Sequence, residues 1–469
     1  MRIATPDVAV IGAGFAGVAL AVRLLWTLPD GAQLLLVGTP GETGHGCAYG
    51  TELPDHLLNV RAGRMSVVSD EPYHFVSWLR QHGHGNADLE ESYQPRPLYG
   101  TYLRDTLYKS SAAQRGRVRT EVHEGTVIDL ERQAGGFAVQ LGDGQRVKAK
   151  AVILATGNAR GDFPFGVGDA GDAIDFMIRD PFFDYRMKSI GTDTRVLLVG
   201  TGLTMVDQLL RLEANGHQKP VTAVSRHGLL PSAHPSRPRG VRQPELPVGA
   251  SLAALLRSFI ADSRQAIREG DDWQSVLDGI RPHLPRLWRG LSPADRARFF
   301  RHAEAFWSVH RHRMAPSIGT RVAAMQSEGR FTIRAGRVVG LRRARQGVTV
   351  ALRPRGVTTI DLLSFDWMIN CSGIRPRGAR TDPFIATLVG RGLARSAGLA
   401  GGIDVTLDSR VVGRGGVPEP GLFAAGPLTV GTFFEITAVP EIREQAARVA
   451  KAATDFLADA AVRSVYARA

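Results

Sequence analysis

Asp7-Val8-Ala9-Val10-Ile11-Gly12-Ala13-Gly14-Phe15-Ala16-Gly17-Val18-Ala19-Leu20-Ala21 decides the fold. Val8 to Ile11 is a short, wholly apolar run, which suits a parallel strand buried on both faces. Gly12, Gly14 and Gly17 follow as G-x-G-x-x-G, with Phe15 and Ala16 inside the loop, and then come apolar residues at helical spacing. Gly12 allows the tight turn, Gly14 lets backbone approach a pyrophosphate, and Gly17 lets helix and strand close together. The positive end of that helix favours an anion by roughly 0.3–1 kcal/mol per charge. The pattern alone is weak. Placed between strand and helix, it predicts a dinucleotide site.

The chain has 469 residues and is 43% hydrophobic, enough for two to four domains at roughly 100–200 residues each. Its two cysteines, Cys47 and Cys371, are far apart and form no C-x-x-C, so the pattern supports neither a disulfide framework nor a zinc site. The first strand begins within ten residues, leaving no room for a leader. No apolar run approaches the ~20 residues that span a bilayer. A soluble cytoplasmic protein without membrane contact is expected. The net charge of +13 is mostly arginine and is scattered. It suits anionic cofactors and small anionic substrates better than nucleic acid, since basic and aromatic residues do not alternate as in single-strand binders.

Beyond the first helix, Gln33 to Val37 reads as the second parallel strand. An acid normally closes that strand and binds a ribose. Here Gly38 stands in its place, and Glu42 follows only after Pro40 and Gly41. Pro72 to Arg80 and the stretch from Arg96 read as helices. Arg117 to Leu154 reads as strands ending in Ala155-Thr156-Gly157, a small-residue turn that can run close under a cofactor.

A second nucleotide fold opens with Arg195 to Val199, then Gly200-Thr201-Gly202-Leu203-Thr204-Met205, in which Met205 replaces the third glycine. The next strand, Val221 to Val224, ends in Ser225-Arg226. Arginine at that place suits a 2′-phosphate, hence NADPH with NADH as the alternative; as one of many surface arginines it needs no ligand. Ser251 to Gly270 and Pro293 to Val309 read as a helical insert that covers a pocket or contacts another subunit. His310 and His312 do not share a helix face, and no metal is expected. Strands return from Phe331, and Cys371-Ser372-Gly373 and Ala425-Gly426-Pro427 repeat the small-residue turn. Glu441 to Ala458 reads as a final helix.

AYGTELPDHLLNVRAGRMS (48–66), RPLYGTYL (96–103), GTGLTMVD (200–207), HRHRMAP (310–316) and AAGPLTVGTFFEITAVPEIREQA (424–446) resemble the FAD/NAD(P)-binding flavoproteins typified by the bacterial FAD-dependent urate hydroxylase. That group also includes flavin N-oxygenases of amino acids. The resemblance implies FAD on Gly12, Gly14 and Gly17, with Thr156, Gly157 and Gly426 passing close to it. His56, Asn59, Met65 and Ser66 would lie near the flavin ring. Gly200, Gly202 and Thr204, with Ser225 and Arg226, would hold the nicotinamide nucleotide. Arg61, Arg64, Phe433, Phe434 and Glu435 are the pocket candidates, and no catalytic base is identified.

The expected fold is α/β, with two Rossmann-like dinucleotide-binding domains and a helical insertion. Residues 1–190 would begin the FAD domain, 191–350 would form the NAD(P)H domain with an insert over about 250–315, and 351–469 would return to the first. The expected activity is an NAD(P)H-dependent FAD monooxygenase acting through a C4a-(hydro)peroxyflavin on a small nitrogen-containing substrate and O2. Urate is the first choice. N-oxygenation of an amino acid such as aspartate, or modification of tRNA, is the alternative. A flavin disulfide reductase would need a cysteine pair that Cys47 lacks. A redox sensor without turnover is a further rival, and a homodimer is open.

Overall fold

A computed structural model describes residues 5–466 apart from 86, 158–160, 166–170, 238–239, 248 and 374–381. The chain divides into two compact units. The first comprises Met1–Pro54, Val60–Ala159 and Pro376–Ala469, and the second Asp55–Asn59 and Arg160–Arg375.

The first unit is built on a six-stranded sheet in the order Arg410–Val412, Pro418–Ala424, Ala151–Leu154, Val8–Ile11, Gln33–Gly38, Arg119–Glu124. All neighbours are parallel except the Arg410–Val412 edge. Val8–Ile11 and Ala151–Leu154 are buried throughout, as apolar runs in the middle of a covered parallel sheet must be. Helix Phe15–Thr27 packs against the long closing helix Val439–Tyr466 and against Arg96–Ala113. Val127–Gln133, Gly136–Leu141 and Arg146–Ala149 form a separate antiparallel sheet.

The second unit carries a seven-stranded sheet. Its order is Asp361–Phe365, Val348–Pro354, Phe331–Arg343, Val221–Ser225, Val196–Val199, Trp367–Asn370, Met177–Ile178. The last five are parallel and the first two add an antiparallel extension. Phe163, Leu197, Val199, Val224, Val350 and Met368 meet in its core.

The unit boundaries fall at 159/160 and 375/376, whereas the sequence suggested 190/191 and 350/351. Sheet pairing is the reason. Met177–Ile178 aligns with Met368–Ile369, and Val348–Pro354 aligns with Phe331–Arg343, so both flanks complete the second sheet.

The insert within the second unit is a chain of short helices: Leu252–Arg268, Trp273–Ile280, Leu284–Gly290, Pro293–Arg298, a π-helical turn Phe299–Ala303, and Glu304–Arg311. Ser251, Asp272 and Ser292 cap three of them by accepting from backbone N–H groups, each cap contributing about 1 kcal/mol. Within HRHRMAP, Arg313 is 2% exposed and donates to Gln274 and Asp278. Gln274 in turn donates to Ala233 O at 3.0 Å. The motif thus pins the insert to the connector at residues 232–234.

Removing one member of a buried ion pair costs roughly 3–5 kcal/mol. Asp278 keeps some solvent, so Arg313→Ala is expected to cost about 2–3 kcal/mol. Urea unfolding followed by tryptophan fluorescence measures it.

Candidate functional site

The first glycine loop is set by close backbone approach. Gly12 has φ +107°, and a Cβ there would lie 2.2 Å from Ala155 O. A Cβ on Gly17 would lie 1.8 Å from Gly12 O. Gly14 differs, because a Cβ there would meet only Gly46 Cα at 3.8 Å. It starts helix Phe15–Thr27 with no side-chain cap and no acid in the first turn. The leading N–H groups of that helix are therefore left for an anion. A bare backbone cradle beside an uncapped helix end fits a dinucleotide pyrophosphate. Phe15 and Ala16 are buried in the helix start.

Gly38 explains the missing ribose acid. A Cβ there would lie 2.3 Å from Ala13 Cβ, inside the phosphate turn itself. On the neighbouring strand Glu124 pairs with Gly38 in register, and its Oε1 accepts from Gly41 N at 3.3 Å. Sequence reasoning missed it because Glu124 is distant in the chain.

Two small-residue turns reach the same end of the sheet. Gly157 follows half-buried Thr156, has φ +72°, and nothing lies within 4 Å of its Cβ position. Gly426 has φ +72° and approaches Ala16. The Gly426 turn is held by Gln445, which is fully buried. Gln445 Oε1 accepts from Gly426 N at 2.7 Å, and its Nε2 donates to Thr429 Oγ1 at 2.9 Å. Gln445 lay within a motif quoted for resemblance alone; its signal was a glutamine on the apolar side of a helix.

Met65 and Ser66 are buried and held by tyrosines three residues apart on one helix face. Tyr99 Oη donates to Met65 O at 2.7 Å, and Tyr102 Oη accepts from Val67 N at 3.1 Å. Burial pushes both phenol pKa values upward, so both hydroxyls stay protonated. Ser66 Oγ donates to Val68 O at 2.9 Å within its own turn. Arg61 engages Glu91 at 3.3 Å and lies over the Tyr93 ring. Arg64 is exposed and carries no ion pair among the described residues. Phe433 is buried beneath the Arg448 guanidinium, and Phe434 is half-buried. Glu435 is buried at φ +66°, a left-handed conformation that costs an L-residue about 1 kcal/mol or more.

The second loop repeats the first. Gly200 has φ +112°, and a Cβ there would lie 2.1 Å from Cys371 O. Gly202 starts the uncapped helix Leu203–Ala214, and nothing lies within 4 Å of its Cβ position. Thr204 is half-buried in the first turn, while Met205 is fully buried. Ser225 Oγ lies 2.8 Å from Thr201 Oγ1 and accepts from Gly228 N at 3.0 Å. Arg226 faces Glu304 of the insert at 3.6 Å.

His56 and Asn59 belong to the second unit, whereas Met65 and Ser66 belong to the first. His56 is fully buried with Nε2 at 2.8 Å from Asp207 O, and Asn59 O lies 3.0 Å from His234 Nε2. Cys47 is exposed and Cys371 buried, with no disulfide; burial pushes the Cys371 thiol pKa upward. Among the described residues no group of three or more His, Cys, Asp or Glu is arranged to hold a metal, and no helix is long and apolar enough to cross a membrane.

Gly38→Asp, which restores the customary acid, is expected to destabilise by about 1–3 kcal/mol through overpacking. It should also lower the yellow absorbance retained per protein, because Ala13 lies within the loop it displaces. Thermal unfolding and the visible spectrum check both effects. A variant of unchanged stability with tighter FAD would contradict the steric argument.

Residues 9–159 match the FAD-NAD(P)-binding family model. L-aspartate N-monooxygenase (nitrosuccinate-forming) from Streptomyces cremeus is 24% identical over 298 residues, which is 51% of this chain and 45% of that protein. The chain thus matches a little under half the length of this relative. The ornithine hydroxylase of Pseudomonas aeruginosa superposes with a TM-score of 0.63 at 15% identity, covering 97% of this chain and 100% of the other. The ornithine N-hydroxylase of Kutzneria sp. 744 gives 0.61 at 17% identity, over 96% and 99%. L-lysine 6-monooxygenase from Pseudomonas syringae gives 0.62 at 17% identity, over 96% and 99%. The chain shares its fold with these ornithine and lysine hydroxylases, and the stretch that matches the FAD-NAD(P)-binding model holds the first glycine loop.

Proposed function

We propose that this chain is an NADPH- and FAD-dependent monooxygenase that hydroxylates the nitrogen of a small amino acid, L-aspartate first. The observation that carries the substrate class is the sequence likeness to an L-aspartate N-monooxygenase. The fold shared with ornithine and lysine hydroxylases agrees with it. Urate, the first choice from sequence, gives way to the amino acid on these grounds. The overall reaction balances as R-NH2 + O2 + NADPH + H+ → R-NHOH + H2O + NADP+.

The flavin, when bound, supplies O2 activation at the expense of NADPH. The chain's own residues bind, orient and exclude water. Gly12, Gly14 and Gly17 would seat the FAD pyrophosphate, with Gly157, Gly426, Met65 and Ser66 lying along the rest of the cofactor. Gly200, Gly202 and Thr204 would seat the reductant. His56 and Asn59 are committed to contacts within the second unit, so their part is to fix the segment that carries them. Of the two arginines considered for the substrate, Arg61 is engaged by Glu91, which leaves Arg64 to meet a carboxylate. Buried Phe433 would help keep water out.

Oxygen uptake by the yellow protein with NADPH should rise on adding L-aspartate, with an oxidised-nitrogen product and little H2O2. Ornithine, lysine and urate serve as comparisons. Stimulation by urate alone, or peroxide in full yield with every amino acid, would sink the proposal. Arg64→Ala should raise KM for the amino acid by about tenfold or more with a smaller change in kcat, as for a lost carboxylate contact.

A further inference from the structure

The end of strand Val221–Ser225 in the second unit carries more positive charge than Arg226 alone. Ser225 pairs in register with Ala335, and the following loop rests on that residue, since a Cβ on Gly228 would lie 3.1 Å from Ala335 Cβ. Arg337 stands two positions further along the same strand, hence on the same face as Ala335. Arg355 donates its backbone N–H to Ala335 O at 2.9 Å. The antiparallel extension of the sheet therefore brings two more arginines to the Arg226 loop. Arg337 and Arg355 are both exposed, and neither has an ion pair among the described residues.

His227 lies among these groups. Burial first, then the charges of Arg355, Arg226 and Arg337, hold its imidazole below the ordinary histidine range. Its Nδ1 is buried without a hydrogen-bond partner among the described residues. The insert faces the same loop with a carboxylate: Glu304 lies 3.6 Å from Arg226, and Phe306 packs on the His227 ring at 5.3 Å. Glu304 directly follows the π-helical turn Phe299–Ala303, an irregularity frequent at functional sites.

We infer that Arg226, Arg337 and Arg355 together recognise the 2′-phosphate of the reductant, and that Glu304 of the helical insert is a built-in competitor which the phosphate must displace from Arg226. The inference rests on the reading that the second glycine loop takes the nicotinamide nucleotide. A phosphate dianion among three guanidiniums makes charge-assisted, bidentate contacts that a ribose hydroxyl cannot make. With a 2′-hydroxyl instead, Arg226 stays on Glu304 and the other two arginines contribute nothing. Discrimination then has two sources: attraction to the phosphate, and a carboxylate that only the phosphate can replace.

The test is calorimetric titration of the FAD-loaded protein with 2′,5′-ADP and with 5′-AMP. Arg337→Ala and Arg355→Ala should each weaken 2′,5′-ADP by about tenfold or more, as for a lost charge-assisted contact, and leave 5′-AMP within about twofold. Glu304→Gln should tighten 2′,5′-ADP severalfold without affecting 5′-AMP. Equal losses for the two nucleotides, no loss in either arginine variant, or a Glu304→Gln protein that binds 2′,5′-ADP no better than the parent would overturn the inference. The readout is nucleotide binding, so it is separate from whether an amino acid is oxidised. Should neither nucleotide bind the parent protein, the assignment of the second loop falls with it.

Discussion

Both units depend on the same contact, a glycine held against the carbonyl of the strand that returns beside it. Gly12 lies where a Cβ would come within 2.2 Å of Ala155 O, and Gly200 where it would come within 2.1 Å of Cys371 O. Their φ values are +107° and +112°. The flanking hydrogen bonds match as well. Ala155 N donates to Ile11 O and Cys371 N to Val199 O, both at 2.7 Å. Any side chain at either glycine must separate the two strands, and strand separation would spread the helix end that follows. The constraint therefore works on fold and site together: the crossing that closes the sheet also bares the backbone at the carboxyl ends of its strands, where such sheets take nucleotides.

The copies diverge at the third glycine and at the end of the second strand. Gly17 admits no Cβ, because Gly12 O would lie 1.8 Å away. Met205 occupies the matching place with its whole side chain buried. At the ribose end the first unit offers no side chain at Gly38. The second offers Ser225, its hydroxyl held in the turn, and then Arg226. Tight, side-chain-free packing suits a cofactor that stays. Charged groups at the end of the strand suit a nucleotide that must exchange each turnover.

Those glycine crossings were legible in the sequence because they impose a pattern over a few adjacent residues. Gly12, Gly14, Gly17, Gly200 and Gly202, and strands such as Ala151–Leu154 and Gly136–Leu141, follow from short-range steric and periodic rules. What escaped depends on partners distant in the chain. Met177–Ile178 is only two residues long and becomes a strand by pairing with Met368–Ile369, so no local pattern marks it or the unit boundary it sets. Gln445 matters because its amide finds the Gly426 turn, and Gly38 is excluded as an acid by Ala13 across the loop. The segment Asp55–Asn59 is the sharpest case. Its sequence is continuous with Met65 and Ser66, yet Asp55 pairs with Arg321 at 2.8 Å and His56 meets Asp207 O, so it belongs to the other unit.

The net charge of +13 gains meaning once arginines are sorted by what they touch. Many are internal fasteners. Arg321 and Arg330 converge on Glu213, Arg186 closes on Asp184, and Arg195 closes on Asp366. Such pairs add little to the external field, because each cation is cancelled within a few ångströms, well inside a Debye length of roughly 10 Å. The surplus that acts outward comes from arginines without a carboxylate partner, and among the described residues Arg64, Arg337 and Arg355 are of that kind. Arg337 and Arg355 lie beside one loop of the second unit, while Arg64 directly precedes Met65 in the first. An anionic amino acid needs one or two cations, and a phosphate dianion needs more. Part of the excess charge is thus cancelled within the protein, and part of it stands beside the loops proposed to take small anions.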